Sequence, residues 1–237
     1  MEETRRRQVT RIEAGRIEAV EERLVVEQEI TITLRGERVL HTICSPSRLK
    51  ELVYGYLVSE GWIRTHHDIV SCTQQESGFD VRLRNDGLPP QHAVLPRPVE
   101  STFTLSTEVL LVAAKECLNQ GATFQETGGT HAAAIGDRSG LISFFEDISR
   151  SCALEKVLGD ALLRGLPFDE TFVFLSSRLP RRMLLKVARC GIPIVGAVSA
   201  PTFDAVGEAQ RLGICVCGFV REHRLNVYSH GCRLGMP

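Results

Sequence analysis

The chain has 237 residues, and its 28 basic and 29 acidic side chains nearly cancel. A balanced chain has no global field to hold nucleic acid or an anionic membrane, so we expect neither as a partner. No apolar run approaches the ~18 residues that a membrane span needs. Eight cysteines are too few for a disulfide scaffold. The opening MEETRRRQVTRIEAG shows no secretory signal, which predicts a cytoplasmic protein with free thiols.

The amino-terminal part of the chain predicts a small, β-rich region. Residues 1 to about 22 lack a clear apolar face, and we expect a frayed lead-in there. Residues 24–44 carry β-branched residues with period-2 stretches on both sides of Gly36, which predicts a hairpin.

A helix is expected next, because apolar residues recur at helical spacing between residues 49 and 57. Ser45 can cap this helix, with Pro46 at its first position. Two short strands are predicted near residues 69–72 and 79–83. Residues 85–102 contain four prolines and little periodicity, which indicates a loop. We therefore predict two domains, residues 1–104 and 105–237.

The second domain begins with a predicted helix at residues 107–118, followed by two strands around a GDRSG turn and a helix that ends at Gly165. From residue 171 onward, short apolar strands alternate with helices. This alternation is typical of βαβ units in a partly parallel sheet that is covered on both faces. The predicted fold class is α/β.

Small hydroxyl residues occupy three strand-to-helix turns of this domain, at Ser176–Arg178, Ser199–Thr202 and Ser149–Ser151. In open α/β sheets, ligands bind at the carboxyl ends of the strands. Helix N-termini there offer free N–H groups and a positive dipole end, which suits phosphate. Ordinary N-capping by serine and threonine is the alternative interpretation of each turn.

Two further segments could carry chemistry. The turn Thr127–His131 contains paired glycines, which allow a close backbone approach to a ligand or serve a simple turn. His131 is an acid–base group, a donor to a ligand, or a satisfied, half-buried histidine, and the last interpretation is favoured. Glu146 and Asp147 end a strand beside Arg150, which indicates an ion pair or part of a polar site, and the ion pair is the favoured interpretation.

The remaining thiols and cations give weaker signals. Cys215 and Cys217 face the same way on a predicted strand, which fits either a thiol pair or two small buried apolar residues, and the second interpretation is favoured. The chain has no Cys-x-x-Cys, and its histidine spacing predicts no zinc site. Taken alone, the loop Arg221–Arg224 is typical of a solvated hairpin tip.

Several ordered motifs resemble the FdhD/NarQ family of formate dehydrogenase accessory sulfurtransferases. YGYLVSEGWI is similar to the family's helix before a TEGII-like turn, and FQETGGTHAAA to its TGG-x-HAA motif. FEDISRSCALEKVLG is similar to EDVGRHNALDKLIG. SSRLPRRMLLKVARCGIPIVGAVSAPTFDAV and GFVREHRLNVYSH resemble the family's last two motifs. The resemblance runs from about Leu49 to the C-terminus with one gap.

The resemblance implies a three-layer α/β/α domain similar to cytidine deaminase, with a mixed sheet, after a smaller β-rich α+β domain at the N-terminus. It implies a cytoplasmic homodimer that passes sulfur from a cysteine desulfurase to a bis-guanine-dinucleotide molybdenum cofactor. That cofactor is cargo for formate dehydrogenase, so the implied partners are the desulfurase and the dehydrogenase.

By motif match, the stretch from Phe219 to Arg224 falls on the family's cofactor-binding segment. The resemblance therefore changes our interpretation of this loop from a solvated hairpin tip to a pyrophosphate-binding site, because arginine binds phosphate through charge-assisted hydrogen bonds. We assign no catalytic residue and no metal ligand. The candidate cofactor-binding residues are Thr127, Gly128, Gly129, His131, Asp147, Arg150, Ser176, Arg178, Ser199, Thr202, Phe219, Val220, Arg221, Glu222, His223 and Arg224.

The chain departs from the family pattern in three ways. The family's Cys-x-x-Cys slot is NDGLPPQHAVLPRPVEST here, with no cysteine, although sulfur relay needs a thiolate. The family's GRH is Ser149–Ser151 here, so the histidine is lost. His131 is followed by two alanines and not by the His-x-Glu of a zinc deaminase.

Three hypotheses follow. In the first, the protein transfers sulfur through an unmatched cysteine or a partner's cysteine. In the second, it is a non-catalytic binder and carrier of the cofactor. The third, an enzyme of unrelated chemistry on the same fold, has no supporting set of nucleophile, base and orienting group.

Overall fold

The structure, a computed structural model, describes residues 2–84 and 96–236. Most of the predicted loop at residues 85–102 therefore lies outside the described residues. The strands are β1 Thr4–Glu13, β2 Arg16–Val25, β3 Gln28–Leu34, β4 Glu37–Cys44, β5 Ile69–Gln75, β6 Gly78–Leu83, β7 His131–Asp137, β8 Gly140–Asp147, β9 Phe172–Leu175, β10 Ile194–Ala197, β11 Cys215–Arg221 and β12 Arg224–Ser229. The helices are α1 Leu49–Ser59, α2 Thr107–Gln120, α3 Ala122–Thr127, α4 Arg150–Leu163, α5 Arg181–Arg189 and α6 Phe203–Leu212.

The larger sheet has six strands in the order β12-β11-β10-β9-β7-β8. The three central strands β9, β10 and β11 are parallel. The outer strands β7, β8 and β12 run antiparallel to their neighbours. This mixed sheet confirms the predicted α/β fold class.

Helices cover both faces of this sheet. Successive residues of a strand point to opposite sides, so they pack against the helices on opposite faces. On one face, Val173 and Leu175 of β9 pack in the apolar core that includes α4, α5 and α6. On the other, Phe172 and Phe174 pack in a second core with α2. The carboxyl-terminal half is therefore a three-layer α/β/α arrangement.

The amino-terminal half contributes a four-stranded sheet in the order β4-β3-β6-β5. Helix α1 packs between this sheet and α4, in the same apolar core as the larger sheet. Gly55 and Gly159 stand at the α1–α4 crossing, where a Cβ on either glycine would overlap backbone atoms of the facing helix. The division of the chain at residues 104 and 105 stays a prediction.

The predicted frayed lead-in is wrong. Residues 4–25 form a hairpin in which β1 and β2 pair antiparallel over their full ten-residue lengths. The root of the hairpin is anchored by the backbone bond from Val26 N to Glu3 O and by the Arg23–Glu126 ion pair, 3.0 Å long. Both faces of this hairpin are largely exposed, so its sequence has no alternating apolar pattern. The hairpin could therefore not be predicted from hydrophobic periodicity.

The predicted start of α1 is also wrong. The helix begins at Leu49, after Arg48 in the left-handed region at φ 55°. Ser45 instead ties two distant segments together, because its Oγ accepts a hydrogen bond from Ile148 N at 3.2 Å. The helix itself, the β3–β4 hairpin, both short strands and the other predicted helices are confirmed.

Candidate functional site

The predicted site residues meet at one edge of the six-stranded sheet. The carboxyl ends of β9, β10 and β11 lie at this edge because these strands are parallel. The antiparallel partners bring the start of β7, the end of β8 and the start of β12 to the same edge. All three hydroxyl-bearing turns, the glycine-rich turn and the Phe219–Arg224 segment therefore belong to one surface, which we call the sheet edge.

The turn after β9 is closed by Ser176. Its Oγ accepts from Ala132 N at 2.8 Å, while its own N–H donates to Ala132 O at 2.9 Å. Ser176 thus extends the pairing between β9 and β7, and its side chain already has a partner. Arg178, two residues further on, is exposed at the sheet edge.

The turn after β10 lies against β11. Ser199 O accepts from Phe219 N at 3.3 Å, and Leu179 bridges to Pro201 across the two turns. Thr202 caps α6, because its Oγ1 accepts from Ala205 N at 3.3 Å. Here the capping interpretation holds, and it leaves the first N–H groups of α6 at the same edge.

The β11–β12 hairpin supplies the cations. Arg221 and Arg224 are opposite each other in register and exposed. Arg221 Nη1 donates to Val198 O, which fixes the guanidinium beside the end of β10. Glu222 pairs with Lys115 of α2 at 3.2 Å, and His223 is 92% exposed at the tip.

Phe219 and Val220 occupy a bulge in β11. Phe219 has φ 51°, in the left-handed region that few residues with a side chain adopt, and is 38% exposed. Val220 is fully buried in the core beneath α2. The bulge therefore turns Phe219 outward to the sheet edge and leaves Val220 as a packing residue.

The glycine-rich turn is held against the amino-terminal hairpin. Gly128 has φ 65° and ends α3, and a Cβ at Gly129 would lie 2.9 Å from Val25 Cγ2. Thr127 Oγ1 donates to Thr123 O at 2.6 Å and accepts from Gly129 N at 3.1 Å. The two glycines thus allow a turn and a close approach to β2, while their backbones remain exposed.

Glu146 organises this turn, which the sequence did not indicate. Its carboxylate accepts from Thr123 N at 3.0 Å, Phe124 N at 2.8 Å and Thr130 Oγ1 at 2.7 Å. The predicted ion pair between Glu146 and Arg150 is therefore wrong. The carboxylate caps α3 and fixes both ends of the glycine-rich segment.

Asp147 pairs with Lys156 at 2.6 Å, and both side chains are completely buried. Its oxygens also accept from Ser149 N at 2.8 Å and Ser45 N at 3.1 Å. Burial raises the pKa of Asp147, and the Lys156 charge opposes that shift. The predicted ion pair between Asp147 and Arg150 is therefore wrong as well. The buried Asp147 is a structural residue that joins the two halves of the chain.

His131 begins β7, half-buried at the sheet edge and opposite Asp147 in register. Burial and the positive charge of Arg150 lower its pKa, whereas Asp147 acts in the opposite direction. The neutral imidazole is therefore favoured at pH 7, and it can donate one hydrogen bond and accept another.

The eight cysteines all lie among the described residues, and six of them are buried. Burial raises the pKa of Cys44, Cys117, Cys152 and Cys190 to about 12, so these thiols carry no thiolate at neutral pH. Cys215 and Cys217 share a face as predicted, with Sγ atoms 3.9 Å apart and no exposed surface.

Two thiols reach solvent. Cys72 is half-buried on β5 in the smaller sheet, where burial raises its pKa and the Lys50 charge opposes that shift. Cys232 is exposed in the turn Gly231–Leu234, which follows β12. Because β12 starts at the sheet edge, Cys232 lies at the opposite end of the sheet.

Within residues 2–84 and 96–236, no three histidine, cysteine or acidic side chains gather as a metal site would require. None of the helices formed by those residues has the length and apolar character needed to cross a bilayer.

The fold and the sheet edge define an α/β protein with an exposed, arginine-bearing edge suited to an anionic ligand. A model of the FdhD/NarQ family matches residues 25–93 and 86–235. The chain therefore belongs to the FdhD/NarQ family, as its motifs indicated.

Relatives of the chain are similar over nearly their whole length. A sulfur carrier protein FdhD from Bacillus subtilis is 35% identical over 252 residues, covering 96% of each chain. One from Methanothermobacter thermautotrophicus is 33% identical over 232 residues, covering 91% of this chain and 92% of that protein. The crystal structure of a candidate formate dehydrogenase accessory protein from Desulfotalea psychrophila aligns with a TM-score of 0.86 at 24% identity, covering 98% of this chain and 99% of that one. That likeness confirms the fold.

Proposed function

We propose that this protein is a formate dehydrogenase accessory protein that binds a molybdenum cofactor carrying guanine dinucleotides and takes part in its sulfuration. Family membership and the sulfur carrier relatives support the accessory role. The observation that carries the binding proposal is the convergence of Arg221 and Arg224 with the turns after β9 and β10 at one edge.

The chain's own groups would bind and orient this cargo. Arg221 and Arg224 donate to the pyrophosphate, and the fixed position of the Arg221 guanidinium lowers the ordering cost of binding. The first N–H groups of α6 add a positive dipole end at the same surface. Phe219 offers an exposed aromatic ring for contact with a base.

Calorimetric titration with GDP tests the binding step. We expect Arg221→Ala and Arg224→Ala each to weaken binding by about 1.5–3 kcal/mol, because each removes a charge-assisted hydrogen bond. Arg164→Ala is the control, since among the described residues the Arg164 side chain bonds to Asp160 of its own helix and to the Ile142 carbonyl. Unchanged affinity in both hairpin variants would remove the β11–β12 hairpin from the site.

Two modes of action remain for the bound cargo. In a sulfur relay, a thiolate of this chain attacks the terminal sulfur of a desulfurase persulfide and releases the desulfurase thiolate, so that the sulfur is held as a persulfide on this chain. In the second mode, the protein holds the cofactor while another chain supplies sulfur. The burial of six cysteines and the position of Cys232 away from the sheet edge favour this carrier mode.

Intact mass after incubation with a cysteine desulfurase and cysteine separates the two modes. A gain of one sulfur atom that a reductant removes shows a persulfide, and its loss in Cys72→Ser or Cys232→Ser names the carrier thiol. GDP binding without any mass gain, when the desulfurase modifies a relative that has Cys-x-x-Cys, assigns the carrier mode.

The partners and assembly are part of this proposal. A cysteine desulfurase and formate dehydrogenase are the expected partners, the cytoplasm is the expected compartment, and a homodimer is the expected state. The two enzymes would meet this chain in turn, because one supplies sulfur and the other receives the finished cofactor.

A further inference from the structure

The β11–β12 hairpin, which supplies the cations of the sheet edge, also carries a carboxylate. Glu222 follows Arg221 directly in the chain and is two residues from Arg224. It is the only acidic residue in the segment from Phe219 to Arg224. A carboxylate beside two arginines can pair with them, and it repels a phosphate that approaches the same place. An anion site built on this hairpin therefore needs Glu222 to be held away from the arginines.

The structure shows which groups engage the Glu222 carboxylate. Its Oε1 lies 3.2 Å from Nζ of Lys115, on helix α2. Its Oε2 lies 3.8 Å from Nε2 of His223, a longer contact at the exposed tip. Within residues 2–84 and 96–236, neither Arg221 nor Arg224 forms an ion pair with a carboxylate. Glu222 is thus drawn towards α2, and both guanidinium groups keep their charge available.

The course of α2 places Lys115 within reach of the hairpin. The helix follows Leu105, whose N–H donates to Arg233 O in the turn after β12, at the end of the sheet opposite the sheet edge. It ends before Gly121, where a Cβ would lie 3.3 Å from Oε1 of Glu146, near the end of β8. Helix α2 therefore runs across the sheet towards the sheet edge, and Lys115 lies in the half of the helix nearer that edge.

The charge available at the hairpin depends on this ion pair. Arg221, Glu222 and Arg224 are two cations and one anion, so the arginines are partly neutralised if Glu222 turns to them. Lys115 supplies the counter-charge of Glu222 from outside the hairpin. The two side chains of this pair are 59% and 58% exposed, so the pair adds little to folding stability. Its effect is therefore expected on the affinity of the hairpin for an anion.

We propose that Lys115 is a positioning residue of the sheet edge, which holds the Glu222 carboxylate on the α2 side and so keeps Arg221 and Arg224 available to the phosphates of a nucleotide. This inference rests on the proposed binding of a nucleotide at the sheet edge. Lys115 acts through Glu222 and does not itself contact the ligand. It lies outside the predicted cofactor-binding residues, because its link to Glu222 depends on how α2 packs against the sheet.

Calorimetric titration of the full chain and its variants with GDP tests the proposal. Lys115→Ala should weaken GDP binding about three- to tenfold, because the released carboxylate then pairs with the arginines or repels the phosphate. Lys115→Arg keeps a cation opposite Glu222 and should bind GDP within about twofold of the native protein. Glu222→Gln removes the negative charge and should strengthen binding. In the double variant Lys115→Ala/Glu222→Gln, the affinity should equal that of Glu222→Gln alone.

The double variant separates this role from two others. A lysine that itself binds the phosphate would cause the same loss of affinity whether residue 222 is glutamate or glutamine. An ion pair that only holds the hairpin in shape would make Glu222→Gln weaken binding as well. Either of these results, or an unchanged affinity of Lys115→Ala, would overturn the proposal.

Arg164→Ala is the matched control. It removes one positive charge from an exposed position at the end of α4 that is remote from the sheet edge, and it should leave GDP affinity unchanged. A native protein that fails to bind GDP would contradict the proposed function, and this inference with it. Native binding of GDP with any other pattern among the variants contradicts this inference alone.

Discussion

At the scale of single residues, His131 is a group at the sheet edge whose charge state depends on the fold. Burial and Arg150 hold its pKa below the ordinary value, so the folded protein favours the neutral ring. The unfolded chain has no such restraint and takes up a proton near pH 6.5. Protonation therefore favours the unfolded state, so the folded protein is less stable at acidic pH.

We expect the free energy of unfolding to fall as the pH drops below about 6.5. A histidine whose pKa is lower in the folded protein than in the unfolded chain stabilises the folded state fully above the pKa of the unfolded chain. This stabilisation is lost as the pH falls towards the pKa of the folded protein. His131→Gln should flatten this part of the profile, because glutamine does not titrate. Urea denaturation of both proteins between pH 5 and 8 checks this, and parallel profiles would contradict it.

The partners of the acidic residues Glu146 and Asp147 could not be predicted from the sequence. The motif FEDISRS indicated acidic groups beside Arg150, but Asp147 pairs with Lys156, nine positions along the chain and inside the fold. Glu146 turns instead to the N–H groups of α3. Neither partner lies at a spacing that a sequence pattern reveals, because both contacts depend on how distant segments pack.

At the scale of elements, the sequence predicted most strands and helices, because buried β-branched runs and amphipathic helices carry strong periodicity. The β1–β2 hairpin escaped prediction because charged residues fill both faces. The crossing of α1 and α4 also escaped, since no local pattern shows that Gly55 and Gly159 face each other.

That crossing gives a matched pair of glycine substitutions. Gly55→Ala should destabilise the protein by about 3 kcal/mol or more, since its Cβ would overlap the Glu155 carbonyl and approach Gly159 N to 2.9 Å. Gly207→Ala on α6 is the control, because its Cβ would meet no atom within 4 Å.

The control should be neutral or more stable by up to about 1 kcal/mol, because alanine favours helix more than glycine does. Chemical denaturation measures both variants. Equal stabilities of Gly55→Ala and Gly207→Ala would show that the two helices are not in backbone contact.

At the scale of the whole molecule, local stability should differ between the two ends of the chain. The tip of the β1–β2 hairpin exposes Ile12 and Ile17 to 70% and 71%. The hairpin pairs with no third strand among the described residues, and a two-stranded hairpin gains little stability alone. Its root is fixed by Arg23 and Val25.

Hydrogen exchange followed by mass spectrometry should therefore show a gradient. Amides near Ile12 and Ile17 should exchange fastest, amides near Val25 more slowly, and those of β9–β11 slowest, since those strands are buried on both faces. Protection of the hairpin tip equal to that of β10 would mean that another surface covers the tip in solution.

The α1–α4 crossing also determines when the chain can fold during synthesis. Residues 60–149 separate the two helices, and a ribosome takes about 5–20 s to add them. Until α4 emerges, the apolar side of α1, with Leu52, Val53 and Leu57, lacks the helix that covers it. A nascent chain that stops short of Arg150 should stay open to proteases, and the amino-terminal half becomes a folded structure only once translation has passed the fourth helix.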